Sequence, residues 1–289
     1  MKVSKTVLWL SALTVGLALV AAVAGLLYQA GGSTFTFTTV RGVTVQLYGQ
    51  GWYRLDTPIA AIGFMAADVV TLLVAIPLLI ISTLLYRRGS LKGGFLLSGV
   101  LAYFLYNYGS MAFGATYNNL YLIYVTIFSA SLFGLMVVLA SFEVSTLPAR
   151  FSTRLPQRGI SLFLIVSGAI LLLVWLVLSI LPALLQGTMP SEVAFYTTFV
   201  TGIIDIGIVA PALLVFTVTL GLNLTVAGFA QLLTGVISIG QAMGFTVPFV
   251  ILTLIALGLT VTLFRNFTEP VAGEVLVDFQ FRLTTSTRN

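Results

Sequence analysis

The chain reads as an all-α transmembrane helical bundle of about eight spans, built as two parallel four-helix repeats. A small extracytoplasmic β-hairpin and a C-terminal cytoplasmic strand complete it. Three observations lead there. Of 289 residues, 59% are hydrophobic and only 7% charged, whereas a soluble domain carries roughly 25% charged residues. With a mean hydropathy of +1.11, a core of this size cannot hide so much apolar surface from water, so the solvent is lipid. The apolar residues also fall into runs of about 20, the length that crosses the hydrocarbon of a bilayer. Finally, the basic residues gather in alternate loops.

The elements follow in order. A first span over 7–28 comes after Lys2 and Lys5. Its "AAVAG" resembles a signal-peptide cleavage site, but the apolar run exceeds the roughly 7–15 residues of a signal core, so a retained helix is expected. An outer loop over 29–58 contains "STFTFTTVRGVTVQLYG" at 33–49. Its alternation of apolar and polar residues, with Arg41-Gly42 as the turn, predicts a hairpin over the bundle mouth. Spans at 59–86, 94–115 and 118–142 complete a first repeat, residues 1–143. A linker at 144–158 leads to a second repeat over 159–266, with spans at 159–185, 197–220, 223–242 and 245–265. The segment 221–242 is rich in glycine and polar residues, and a re-entrant loop there would leave seven spans. The tail 267–289 carries "EVLVDFQFRL" at 274–283, which alternates like a strand. Such a strand needs an edge, from a second copy or another protein.

Orientation follows from Lys and Arg in short loops. With both termini inside, the cytoplasmic segments hold 11 of the 13 basic residues, and only Arg41 and Arg54 lie outside. A multi-pass protein of the plasma membrane is expected. The net charge of +5 is then a matter of topology and implies no nucleic-acid partner. The chain has no cysteine and no histidine, which excludes disulfides, thiolate chemistry, a Ser-His-Asp triad and any histidine-ligated metal. No Walker loop, dinucleotide fingerprint or GxSxG motif is present, so no cofactor and no metal is implied and enzymatic activity is not expected.

The repeat rests on aligned residues. Pro77, Leu79, Thr83, Gly94 and Phe95 match Pro211, Leu213, Thr217, Gly228 and Phe229. After a two-residue slip, Leu97, Gly99 and Val100 match Leu233, Gly235 and Val236. Each proline follows an intramembrane aspartate, Asp68 or Asp205. Four-span halves share their orientation and are related by an axis along the membrane normal.

Those aspartates are the leading site candidates. Each lies about nine residues, roughly 13 Å, into its helix. A carboxylate there is expensive and faces a partner or a water-filled cavity. A proton or cation site is one reading, and an acid hydrogen-bonded between helices is the other. Tyr103, Asn107 and Ser110 share a face of the third helix, and Tyr117, Tyr121 and Tyr124 are placed likewise at the start of the fourth. Thr198, Thr201 and Asp205 share a face of the sixth, and Gln231, Thr234, Ser238 and Gln241 form a stripe on the seventh. The ligand-binding set is therefore Asp68, Asp205, Asn107, Tyr103, Thr201, Gln231 and Gln241. A shared polar pocket and plain interhelical hydrogen bonding both fit it.

The segments "LYGQGWYRLDTP", "AADVVTLLVAIPLL", "RRGSLKGG", "AYFLYNY", "YNNLYLIYVTIFSASLFGL" and "DIGIVAPALL" together resemble a family of uncharacterised prokaryotic polytopic membrane proteins of about eight spans. The resemblance covers nearly the whole chain and implies the span pattern and the two aspartate–proline motifs. It implies no activity. One departure is "GLNLTVAG" after the sixth span, where such proteins often carry basic residues. Function is expected to be small-solute or proton- or cation-linked transport, or ligand binding, in a polar intramembrane pocket. The alternative is a non-catalytic scaffold or assembly factor that uses the hairpin and the tail strand as contact edges, with a homo-oligomer or another protein as partner.

Overall fold

The computed structural model describes residues 2–38, 42 and 44–143, and in the second half 162, 163, 166, 181–186, 233, 235 and 238–265. The linker 144–158, the span 197–220, Thr201, Asp205, Gln231 and the tail strand 274–283 lie outside the described residues. The described residues therefore belong mostly to the first half of the chain. The described elements are mostly helical, with one small two-stranded sheet.

Helix α1, Lys5–Leu27, is a run of leucine, valine and alanine with no internal proline. Its buried positions are Val7, Ser11, Thr14, Ala18, Ala21, Ala22 and Gly25. They recur every three or four residues and draw one narrow seam of mostly small side chains. Small residues let helix backbones approach closely where lipid offers no hydrophobic drive. The alanines that resemble a cleavage site thus form part of the packing seam.

The hairpin follows as predicted. Strand β1, Phe35–Thr38, pairs antiparallel with β2, Thr44–Leu47, with Phe35 opposite Leu47 and Thr38 opposite Thr44. Its placement differs from expectation. Leu47 is buried, but Phe35 and Phe37 are 43% and 51% exposed. The segment that closes the end of the bundle is the stretch after the hairpin, residues 48–57, where Tyr53 and Asp56 are buried.

Helix α2, Pro58–Arg87, is one 30-residue element. Thr57 caps it by accepting a hydrogen bond from the Ala60 N–H, and Pro58 occupies the first turn, where its missing N–H is harmless. Pro77 instead falls in the interior. It has no N–H for the carbonyl four residues back, and its ring crowds that carbonyl. The helix relaxes into a π-helical turn over Thr71–Ala75, where the Ile76 N–H reaches Thr71 O. The proline therefore widens the helix beside Thr71, and the wide turn lies within the apolar span.

Ser90 caps helix α3, Leu91–Gly114, through the Gly93 N–H at 3.1 Å. Helix α4, Tyr121–Ala140, follows a short turn. Helix α1 packs on α2 and α4, and α3 packs on the same two, so the four helices close a ring in chain order. Hydrogen bonds fix the two ends. Lys2 N–H donates to Ser141 O, Ser4 N–H donates to the Tyr86 hydroxyl, and that hydroxyl donates to Lys2 O. These bonds gather the start of α1 and the ends of α2 and α4. At the hairpin end, Thr116 N–H donates to Asp56 Oδ1 at 2.7 Å.

Three of these helices, α1, α2 and α4, are long and apolar enough to cross a membrane. Their outward faces carry Trp9, Leu13, Val20, Leu73, Ile80, Leu84, Leu122, Phe133 and Met136, all exposed, as contact with lipid requires. Helix α3 has 24 residues but turns Ser98, Tyr103, Asn107 and Tyr108 into the ring.

In the second half, Leu181–Leu185 forms a short helix, α5, and Ile239–Arg265 a 27-residue helix, α6. The latter corrects the boundary placed between spans at 223–242 and 245–265. Gly235 sits in a turn at φ +72, a left-handed backbone that interrupts a right-handed helix, and helix resumes at Ile239. The stripe Gln231, Thr234, Ser238 and Gln241 is therefore not one helix face, since Gln241 belongs to the last helix and Ser238 precedes it.

Candidate functional site

Asp68 stands in the middle of α2 with no exposure to solvent. Three elements place its carboxyl. On α1, Gly25 presents bare backbone, and a Cβ built there would collide with Asp68 Oδ2 and come within 2.9 Å of the Tyr53 hydroxyl. From the loop after the hairpin, Tyr53 donates its hydroxyl proton to Asp68 Oδ2 at 2.8 Å. From α4, the Tyr124 hydroxyl donates to Tyr53 at 3.5 Å. Burial holds the Tyr53 phenol well above its ordinary pKa, and the Asp68 carboxyl beside it acts in the same direction. Tyr53 therefore stays neutral and serves as the donor.

One turn further along α2, the widened turn presents the Thr71 hydroxyl to α3. It bonds to the Tyr103 hydroxyl at 3.1 Å and accepts from Asn107 Nδ2 at 3.5 Å. Tyr108, on the same helix, is also fully buried. Its ring stacks on Phe104 and tilts against Tyr124. One buried oxygen in this centre, Asp68 Oδ1, has no hydrogen-bond partner among the described residues. A buried polar atom left unbonded is uncommon in a folded protein and calls for an explanation such as an ion, a proton or a water.

Of the predicted site residues, the structure brings Asp68, Tyr103 and Asn107 into one buried layer. Gln241 lies on α6, and Asp205, Thr201 and Gln231 fall outside the described residues. Ser110, expected on the Tyr103 face, bonds back to Tyr106 O of its own helix. Tyr117 is not on α4, which begins at Tyr121, and it is 74% exposed. Sequence reasoning omitted Tyr53, Thr71, Tyr108 and Gly25. The quoted segment "LYGQGWYRLDTP" pointed at the first, and the three-residue interval from Asp68 pointed at Thr71. Nothing in the sequence marked Gly25 among so many glycines.

A second buried carboxyl lies nearer the end of the bundle. Asp56 is 4% exposed. Burial pushes its pKa up to about 6, against the pull of the Thr116 hydrogen bond. Thr116 also donates its hydroxyl to Leu55 O, so this pair fastens the loop 48–57 to the turn between α3 and α4. What the arrangement offers chemically is a carboxyl, four phenols, a hydroxyl and an amide in a buried layer. No Lys or Arg is bonded to Asp68 among the described residues. No family model matches the chain, and no curated protein or solved structure matches it either.

Proposed function

We propose that the chain is a membrane protein for proton- or cation-linked solute transport or ligand binding, with Asp68 as the group that takes the proton or cation. One observation carries this reading: a fully buried carboxyl has one oxygen held by Tyr53 and the other without a hydrogen-bond partner among the described residues. A carboxyl kept only for packing is normally bonded at both oxygens, because an unmet buried acceptor costs about 1–3 kcal/mol. The wide turn at Thr71–Ala75 beside it supports the reading, since π turns within α-helices often mark functional sites. In this proposal the termini face the cytoplasm and the hairpin lies outside. Asp205 takes the equivalent place in a second repeat.

The test is melting temperature in detergent, measured against pH and against added sodium. It is run in an Asp56→Asn background so that the other buried acid does not contribute. Asp68→Asn should leave the protein folded and remove the response to pH or sodium. Asp68→Leu should destabilise by about 1–3 kcal/mol by stranding Tyr53. A melting temperature indifferent to both variables before substitution would end the proposal.

A second reading is a scaffold or assembly factor. The exposed Phe35 and Phe37 on a two-stranded sheet with free edges favour it, as does the complete enclosure of Asp68. The tail strand 274–283 would be its other contact edge. Crosslinks from the hairpin to a second chain, together with a silent Asp68→Asn, would select this reading.

A further inference from the structure

Asp68 is enclosed, so a proton bound there needs a way in. A cleft of about 300 Å³ opens at the hairpin end of the ring, lined by Tyr28, Trp52, Arg54, Tyr117 and Asn118 among others. Two of these residues flank Tyr53 in the chain. A third, Asn118, stands in the turn that leads into α4, where its Oδ1 accepts from the Leu120 N–H at 2.9 Å, one turn before Tyr124. The cleft stops short of Tyr53 and Tyr124, which are both buried and stand in series with Asp68. Tyr124 donates to Tyr53 at 3.5 Å, and Tyr53 donates to Asp68 Oδ2 at 2.8 Å. Both hydroxyl protons point toward the carboxyl.

We propose that Tyr124 and Tyr53 form a two-phenol route that carries a proton between the cleft and Asp68. The route rests on the proton reading of that residue. A hydronium that passes inward from the cleft by Asn118 gives its proton to the Tyr124 oxygen. The proton already on Tyr124 moves to Tyr53, and the proton on Tyr53 moves to Asp68 Oδ2. Three O–H bonds break and three form. The hydronium becomes water, the carboxylate becomes the acid, and both phenols end neutral. Afterwards the chain of donors is reversed, which is the arrangement that returns the proton. The 3.5 Å step is at the outer limit of a hydrogen bond, so that step sets the rate. The titratable groups around Asp68 among the described residues are Tyr53 from the loop, Tyr103 and Tyr108 from α3, and Tyr124 from α4, with Asp56 near Tyr124. None of them is a cation, although Arg54 lines the cleft through which the proton enters. Gly25 is what faces Asp68 from α1.

The experiment is stopped-flow proton uptake by the purified full chain in detergent. A pH-indicator dye follows a small pH jump in the Asp56→Asn background. A phase that disappears in Asp68→Asn belongs to Asp68. Tyr124→Phe keeps the ring and its packing, so it should keep the amplitude of that phase and slow it at least tenfold. Tyr53→Phe should slow it as well, and it serves as the second arm if Tyr124→Phe melts early. Unchanged rates in both phenylalanine variants, with the Asp68 phase intact, would overturn the route and leave the Asp68 reading standing. Absence of any Asp68-dependent phase would overturn that reading and the route with it.

Discussion

Gly25→Ala tests whether α1 is fitted to the Asp68 carboxyl or merely passes near it. The added methyl would collide with Asp68 Oδ2, stand 2.9 Å from the Tyr53 hydroxyl and 3.0 Å from Asp68 Cγ. None of these atoms is the free end of a flexible chain, because the carboxyl is held on a buried helix and the phenol is held by the carboxyl. Overpacking of this kind costs about 1–3 kcal/mol. Breaking the Tyr53–Asp68 bond in the process adds about 1 kcal/mol more. Gly16→Ala is the internal control, because nothing lies within 4 Å of its added methyl. On helix propensity alone it should be neutral or stabilising by less than about 1 kcal/mol. Asp68→Ala opens the space that the new methyl needs, so Gly25→Ala should be nearly silent in that background. The double-mutant cycle, read by thermal melting in one detergent, should give a coupling of about 2–4 kcal/mol. A Gly25→Ala as mild as Gly16→Ala, or effects at 25 and 68 that simply add, would refute the contact.

Asp56 should make stability depend on pH. Its folded value of about 6 lies above the ordinary 3.8, so the stability carried by the neutral acid is fully present below the ordinary value and is lost as pH rises through about 6. A gap of roughly two between the folded and unfolded values corresponds to about 3 kcal/mol. Asp56→Asn, which still offers an oxygen to the Thr116 N–H, should flatten the melting profile over that range. An unchanged profile would show that another group titrates. Thr71→Val should destabilise by about 1–3 kcal/mol, because Tyr103 and Asn107 both lose a buried partner. Thr71→Ser keeps the hydroxyl and should recover most of that loss in the same melting assay.

Hydropathy made the first-half helices legible because a lipid-facing span has to be apolar along its whole length. The helix starts were placed by apolar runs at 59 and 94, whereas the caps that set them are Thr57 and Ser90, whose side chains accept from the first free N–H groups. Asp68 stood out because a carboxylate in such a run is expensive and must find a partner or water, and Tyr103 and Asn107 followed from helical spacing. What stayed hidden depends on tertiary contact. Tyr53 lies 15 residues from Asp68 in a loop, and no periodicity connects them. Pro77 signalled a distortion but not its form, since a kink and a wide turn both relieve the missing N–H. The stripe ending at Gln241 misled because spacing was counted through Gly235, where the backbone turns left-handed. The hairpin alternation was real, but alternation says nothing about which face is covered, and Phe35 and Phe37 remain exposed.

The central claim is that Asp68 gains and loses a proton, or exchanges it for a cation, while the chain stays folded. Infrared difference spectroscopy at equilibrium tests it most directly, because a protonated carboxyl has a carbonyl band that a carboxylate lacks. Spectra of the Asp56→Asn protein are taken across the pH range in which it remains folded, with and without sodium, and compared with those of Asp56→Asn/Asp68→Asn. The expected result is a carbonyl band whose intensity changes with pH or sodium and which is missing from the double variant. Identical difference spectra in the two proteins would contradict the account and leave Asp68 as a packing residue.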